Sequence, residues 1–170
     1  MHVTDDGSPF RHIYDGNGDD VLKAVVDDSV MHAFGGDDTV YGSKGSDAIY
    51  GNEGNDTIYA GSGNDFVFGG QGDDYINGGN GNDTYVFGRN YGTDIIEDYD
   101  GNNKVVLSGI DPNEVTFAKT NQSELTVSIN GCEDKLTIRS FNSESFTFEF
   151  AGGAVGTVNK DTWELELSQP

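Results

Sequence analysis

The sequence predicts an all-β chain, a two-sheet solenoid over residues 15–86 closed at its C-terminal end by a small antiparallel β unit. Three observations predict it. Residues 15–86 divide into eight blocks of nine without insertion or deletion, each block keeps an apolar residue at its eighth position, and the stretch after Val86 alternates apolar and polar residues between turn signals.

The pattern is fullest in GSKGSDAIY (42–50), GNEGNDTIY (51–59), AGSGNDFVF (60–68), GGQGDDYIN (69–77) and GGNGNDTYV (78–86). Upstream, DGNGDDVLK (15–23) and AFGGDDTVY (33–41) keep the Asp and the apolar residue, whereas AVVDDSVMH (24–32) keeps only the apolar one. Glycine at the fourth position allows a turn with positive φ, and the short β-favouring run after the sixth-position Asp makes a strand of about three residues. Such a strand buries too little to stand alone, so it must stack. If each turn reverses the chain, two blocks make one coil, and strands one coil apart become parallel neighbours about 4.8 Å apart. The eighth residues, Leu22, Met31, Val40, Ile49, Ile58, Val67, Ile76 and Tyr85, then fill the space between the sheets.

Stacking places the sixth-position carboxylates in two columns, Asp20, Asp38, Asp56 and Asp74 on one edge and Asp47, Asp65 and Asp83 on the other. Carboxylates at strand spacing repel one another, which predicts a cation between successive turns. Hard oxygen donors, carboxylates together with free turn carbonyls in a roomy site, favour Ca²⁺ over Mg²⁺ or a transition metal.

In these blocks the chain resembles the RTX family, whose repeat reads G-G-x-G-x-D-x-U-x. The resemblance implies the right-handed parallel β-roll of proteins exported by bacterial type I secretion: toxins, proteases, lipases, epimerases and large adhesins. It also implies a ligand scheme, in which an ion takes the second- and fourth-position carbonyls and the Asp of one turn, with the first- and third-position carbonyls and the Asp of the turn two blocks on. On that scheme the best sites join Asn52, Gly54 and Asp56 to Gly69, Gln71 and Asp74, and Gly61, Gly63 and Asp65 to Gly78, Asn80 and Asp83. Less regular ones join Ser43, Gly45 and Asp47 to Ala60, Ser62 and Asp65, and Phe34, Gly36 and Asp38 to Gly51, Glu53 and Asp56. Gly16, Gly18 and Asp20 with Ala33, Gly35 and Asp38 make another, for about five Ca²⁺ ions in all.

Composition narrows the function. An apolar content of 34%, 25 glycines and a net charge of −21 suit a chain that folds only when its carboxylates are neutralised. The same charge opposes nucleic acid and anionic lipid as partners. One cysteine, Cys132, excludes an internal disulfide framework, and no run is long enough to span a membrane. His2, His12 and His32 show no zinc-site spacing. No nucleophile elbow, His-Glu-x-x-His or phosphate loop is present, so the sequence is read as non-catalytic.

In chain order, residues 1–14 form a degenerate first rung with Ile13 at an eighth-position equivalent, 15–86 the roll, 87–155 a β-rich flanking and capping region, and 156–170 a tail. Block 24–32, without glycine and with Ser29 in place of Asp, is expected to lose an ion site and to be loose, with Asp27 and Asp28 on a solvated bulge. Ninth-position aromatics should stack, Tyr41 beside Tyr59 and Tyr50 beside Phe68. The period is taken to end at Val86. Beyond it, strands are expected at Lys104–Leu107, Val115–Lys119, Leu125–Ile129, Lys135–Arg139 and Ser145–Phe150. The phrases DxIxDYD, LTVSING and FEFA resemble the flank that follows RTX repeats and, in that family, is associated with nucleating the roll and blocking its end. Asp98 and Asp100 are read as ordinary loop acids, with a partial site against the Asp83 turn as the alternative. The tail is read as helix-compatible over Lys160–Leu167 with Asp161 as a possible N-cap, and as a possible secretion-signal region.

The functional expectation is a calcium-binding module of a secreted toxin, adhesin or exoenzyme, folding on extracellular Ca²⁺ in support of type I secretion, with the secretion machinery as its partner during export. The alternative is a Ca²⁺-stabilised module binding carbohydrate or a host surface through its aromatic face.

Overall fold

The computed structural model describes residues 2–4, 11–121, 123–139, 146–159 and 161–168. In chain order the strands are β1 (His2–Thr4), β2 (Arg11–Tyr14), β3 (Val21–Lys23), β4 (Ser29–Gly35), β5 (Thr39–Tyr41), β6 (Ala48–Glu53), β7 (Thr57–Ser62), β8 (Phe66–Gln71) and β9 (Tyr75–Asn80). They continue as β10 (Thr84–Gly88), β11 (Thr93–Glu97), β12 (Asn103–Ser108), β13 (Val115–Asn121), β14 (Glu124–Ile129), β15 (Lys135–Arg139), β16 (Phe146–Glu149), β17 (Val155–Val158) and β18 (Leu165–Leu167). One sheet runs β1-β2-β4-β6-β8-β10-β12-β16-β17-β18, the other β13-β14-β15-β11-β9-β7-β5-β3.

Within the roll each turn hands the chain to the opposite sheet, as the nonapeptide requires. Val40 lies beside Ile58 and Ile58 beside Ile76 on one sheet, and Met31 beside Ile49 and Ile49 beside Val67 on the other, all in parallel register. Strands β6 to β9 are six residues long because pairing carries on into the next turn, where Asn52 pairs with Gly70 and Gly61 with Gly79. Ile13, Leu22, Met31, Val40, Ile49, Ile58 and Val67 are fully buried between the sheets. Each such side chain contributes roughly 1.5–3 kcal/mol, but only because a neighbouring coil covers it.

The period does not end at Val86. Two extra residues, Phe87 and Gly88, shift the frame, and the blocks RNYGTDIIE (89–97) and DYDGNNKVV (98–106) then resume it with buried Ile96 and Val105 at the eighth position. Parallel register follows, with Ile96 beside Ile76 and Val105 beside Tyr85.

The C-terminal strands extend both sheets. Strand β15 is parallel to β11 and antiparallel to β14, which pairs with β13; β16 is parallel to β12 and antiparallel to β17. Leu136, Ile138, Phe146, Phe148 and Val158 are buried, and Phe117 packs edge-on against Phe148 with centroids 4.9 Å apart. Lys135–Arg139 is a strand with the expected bounds, and the other expected strands are present with ends moved by a residue or two. Ser145, the expected start of one of them, lies outside the described residues.

Among its described residues the tail holds no helix, and Lys160, the expected start of one, lies outside them. Asn159 accepts the amides of Asp161 and Thr162 on its side chain and that of Trp163 on its carbonyl, a turn that returns β18 against β17. Asp161 therefore donates to a cap and does not form one. The alternating apolar residues of the final strand gain a sheet edge, which a helix of that length could not match.

Outside the sheets, rings form the expected ladders. Tyr41 and Tyr59 stack with centroids 5.3 Å apart and planes 9° apart, while Tyr14, His32 and Tyr50 form a second column with spacings of 5.3 and 4.6 Å that ends edge-on at Phe68. His12 and His32 belong to this column and its rim. Burial, then the nearby His12, lowers the pKa of His32.

Candidate metal centre

Every turn of the roll carries two side-chain ladders of opposite direction. In the sixth-position ladder Asp38 Oδ1 accepts the backbone N–H of Asp20, Asp56 that of Asp38, and Asp74 that of Asp56; on the other edge Asp47, Asp65 and Asp83 accept from Ser29, Asp47 and Asp65. Distances fall between 2.6 and 2.9 Å, and each bond reaches back one coil. In the fifth-position ladder the direction reverses, with Asp19, Asp37, Asn55 and Asp73 accepting from Asp37, Asn55, Asp73 and Thr93. The other edge repeats it through Asp28, Ser46, Asn64 and Asn82. Fifth positions are all short polar residues, a regularity visible in the sequence that the reading from Gly and Asp alone passes over.

The sixth-position ladder uses one carboxylate oxygen and leaves the other. Oδ2 of Asp38, Asp56, Asp65 and Asp74 is buried with no hydrogen-bond partner. Two of these atoms point at the first-position glycine of their own block: a Cβ on Gly51 would lie 2.1 Å from Asp56 Oδ2, and one on Gly69 2.2 Å from Asp74 Oδ2. Carbonyls line the same gaps. A Cβ on Gly72 would meet the Gly54 oxygen at 2.1 Å, one on Gly63 the Gly45 oxygen at 2.3 Å, one on Gly70 the Asn52 oxygen at 2.0 Å, and one on Gly42 the Ala60 oxygen at 2.0 Å. First-, second- and fourth-position carbonyls thus face an adjacent coil. The third-position carbonyls of Gly35, Glu53, Gln71 and Asn80 already accept fourth-position amides, which leaves each one further lone pair.

Unpartnered anionic oxygens in a dry turn are costly, and the acidities show it. Burial first, then the neighbouring carboxylates of its column, pushes Asp56 and Asp65 up to about 7. Asp74 and Asp83 rise to about 6 and Asp38 rises as well, burial again being the largest cause. An oxygen-only donor set, two carboxylates and several carbonyls, fits a hard divalent cation of calcium's size and flexibility. Among the described residues no three His, Cys, Asp or Glu side chains gather about one point.

Residues 14–85 match the RTX calcium-binding nonapeptide repeat (4 copies) over the overlapping segments 14–49, 32–67 and 50–85. Residues 14–85 form an RTX parallel β-roll. Among solved structures, the solution structure of the AlgE6R3 subunit from the Azotobacter vinelandii mannuronan C5-epimerase aligns at 19% identity with a TM-score of 0.50. The alignment covers 76% of this chain and 78% of that one, a likeness of fold. No curated protein sequence matches significantly. Among the described residues no helix is long and apolar enough to cross a membrane.

The RTX roll brings the expected carboxylates together, with two departures. Asp47 already has a partner on each carboxylate oxygen: Ser43 donates its N–H at 2.6 Å and its hydroxyl at 2.9 Å to Asp47 Oδ2, while Ser29 N–H fills Oδ1. Block 24–32 carries the exposed bend expected, Val25 to Asp28 with both acids in solvent, but its ends are tied to the coil. Ser29 is buried with its hydroxyl on the Val26 carbonyl, and Asp28, at φ 57°, joins the fifth-position ladder by accepting Ser46 N–H. Asp65→Asn is accordingly expected to weaken calcium binding about tenfold or more and Asp47→Asn by less than about threefold, measured by calorimetric titration, since only Asp65 presents a free oxygen. Equal losses would contradict this division.

The RTX roll also runs past its expected limit. Asp94 Oδ1 accepts Asp74 N–H at 3.1 Å and Asn103 Oδ1 accepts Asp83 N–H at 2.8 Å, so both continue the sixth-position columns. Asp94 is buried, and burial followed by the Asp74 charge raises it to about 8. The two-residue frame shift hid both from the nonapeptide reading.

Proposed function

We propose that the RTX roll is a calcium-loaded folding module: unfolded where Ca²⁺ is scarce, assembled where it is near millimolar, and so suited to export by type I secretion as part of a secreted toxin, adhesin or exoenzyme. The observation that carries this reading is the row of buried, unpartnered Oδ2 atoms of Asp38, Asp56, Asp65 and Asp74. They stand where successive coils must approach, so the coil contacts that hold the core together require their charge to be neutralised.

The residues that would hold the ions are Asp20 with Asp38, Asp38 with Asp56, Asp56 with Asp74, Asp47 with Asp65 and Asp65 with Asp83, each with the turn carbonyls between them. Asp74 with Asp94 adds a sixth pair. Calcium when bound supplies two positive charges and a flexible oxygen coordination that matches two carboxylates and several carbonyls. These residues are read as ligands and not as catalytic groups.

Isothermal titration from chelated buffer tests the reading. Binding of about five or six Ca²⁺ in the range of 10⁻⁴ to 10⁻³ M, without comparable binding of Mg²⁺, supports it. Equal affinity for both ions, or none for either, would sink it.

The carbohydrate-binding alternative draws on the ninth-position aromatics, but their faces are turned on one another at 4.6 and 5.3 Å and present mostly edges. Sugar stacking needs open faces. A glycan array with and without Ca²⁺ separates the two readings.

A further inference from the structure

We propose that the last turn pair on one edge, residues 78–83 against 98–103, is closed by the protein's own hydrogen bonds and takes no cation. The inference rests on the calcium reading above and refines where its ions stop. Parallel pairing of Thr84 with Lys104 puts Asp98 opposite Gly78, Gly101 opposite Gly81 and Asn103 opposite Asp83. The stacking is that of the other turns, since a Cβ on Gly101 would lie 1.6 Å from the Gly81 oxygen. The chemistry differs in three atoms.

First, Tyr85 is the one aromatic among the eighth-position residues of 15–86, and its ring carries a hydroxyl from the core out to the turn. That hydroxyl is bonded to Asp98 Oδ2 and lies 3.5 Å from Asp83 Oδ2. At Gly51 and Gly69 the atom nearest a built Cβ is an unpartnered aspartate oxygen; at Gly78 it is the Tyr85 hydroxyl, at 1.7 Å. A donor stands where the repeats leave an acceptor bare. Second, Asn103 keeps the ladder acceptor for Asp83 N–H but replaces the second carboxylate oxygen by an NH₂ group, and an amide nitrogen bearing two protons cannot ligate a cation. Third, that NH₂ donates at 3.0 Å to the carbonyl of Asp100, the third-position carbonyl of this turn. Asp98 Oδ1 is occupied too, by Asp100 N–H at 3.1 Å. Of the oxygens the ligand scheme would draw on from this side, the sixth-position carboxylate is replaced by an amide and the third-position carbonyl takes the amide's own NH₂, and both facing carboxylates share a hydroxyl.

The consequence is an asymmetric roll. One column continues through Asp74 to Asp94, whereas the other stops at Asp83, locked by Tyr85.

Native mass spectrometry at saturating Ca²⁺ tests this on the wild type, Asp98→Asn, and the double variant Tyr85→Phe/Asn103→Asp. Asp98→Asn is expected to hold the wild-type number of ions, and the double variant, which restores repeat chemistry to the turn, one more. Loss of one ion in Asp98→Asn would overturn the proposal, because it would make Asp98 a ligand; so would an unchanged count in the folded double variant. Should the double variant fail to fold, the Asp98→Asn count decides alone. A wild type that binds no calcium would instead remove the reading on which the proposal stands.

Discussion

With calcium withdrawn at about pH 8, far-UV circular dichroism is expected to show loss of most of the β signal of the roll, and acidification of the same chelated sample to about pH 4.5 is expected to restore part of it. With saturating calcium the dependence reverses, and stability falls as the pH is lowered. The sign comes from the carboxylates. In the metal-free fold Asp56 and Asp65 are raised to about 7, Asp74 and Asp83 to about 6 and Asp94 to about 8, against an ordinary value of 3.8. Between the unfolded and folded values the folded chain binds more protons, so its stability falls as pH rises through roughly 4 to 8. A tenfold change in acid dissociation corresponds to about 1.4 kcal/mol. Even with a severalfold discount for solvent screening, five such groups remove about 5 kcal/mol, the low end of a domain's whole stability. Bound cations invert the dependence because protons then compete for the same oxygens. A chelated protein that keeps its full β spectrum at pH 8, or one whose acid response has the same sign with and without calcium, would contradict the account.

The parts of this molecule that were legible in the sequence are those set by a period. Gly at the fourth position, Asp at the sixth and an apolar residue at the eighth define turn, column and core, and Leu22, Val40 and Ile58 lie where the frame places them. The fold beyond Val86 was less legible because Phe87 and Gly88 displace the frame by two residues while changing nothing about the coil. Asp94 and Asn103 sit in the columns all the same, since hydrogen bonding to the previous turn fixes register through space and not through sequence spacing. Asp98 and Tyr85 could be seen only in three dimensions: a core tyrosine has no preferred partner until the stack brings its hydroxyl to a turn. The tail misled for the opposite reason, because its local propensity is compatible with a helix and the neighbouring strand β17 decides otherwise.

Gly54→Ala is expected to cost about 3–5 kcal/mol and to lower the calcium-loaded melting temperature by about 10 °C or more, whereas Gly16→Ala leaves it nearly unchanged. Both residues belong to the pattern, so composition alone would rank them alike. Gly54 has φ 125°, a region that L side chains rarely enter, and its Cβ would lie 2.0 Å from the Gly36 carbonyl oxygen and 2.5 Å from its carbon. Backbone cannot rotate away as a side chain can, so the coil spacing itself must open. That displaces the Gly36 oxygen, one of the expected ligands, and stretches the Gly54 amide away from the Gln71 carbonyl, which it now meets at 2.8 Å. Gly16 has no atom within 4 Å of a Cβ and no positive φ. The two substitutions therefore separate a glycine required by stacking from one that merely sits in a turn. Equal melting temperatures would mean that the coils are far more compliant than close backbone packing allows.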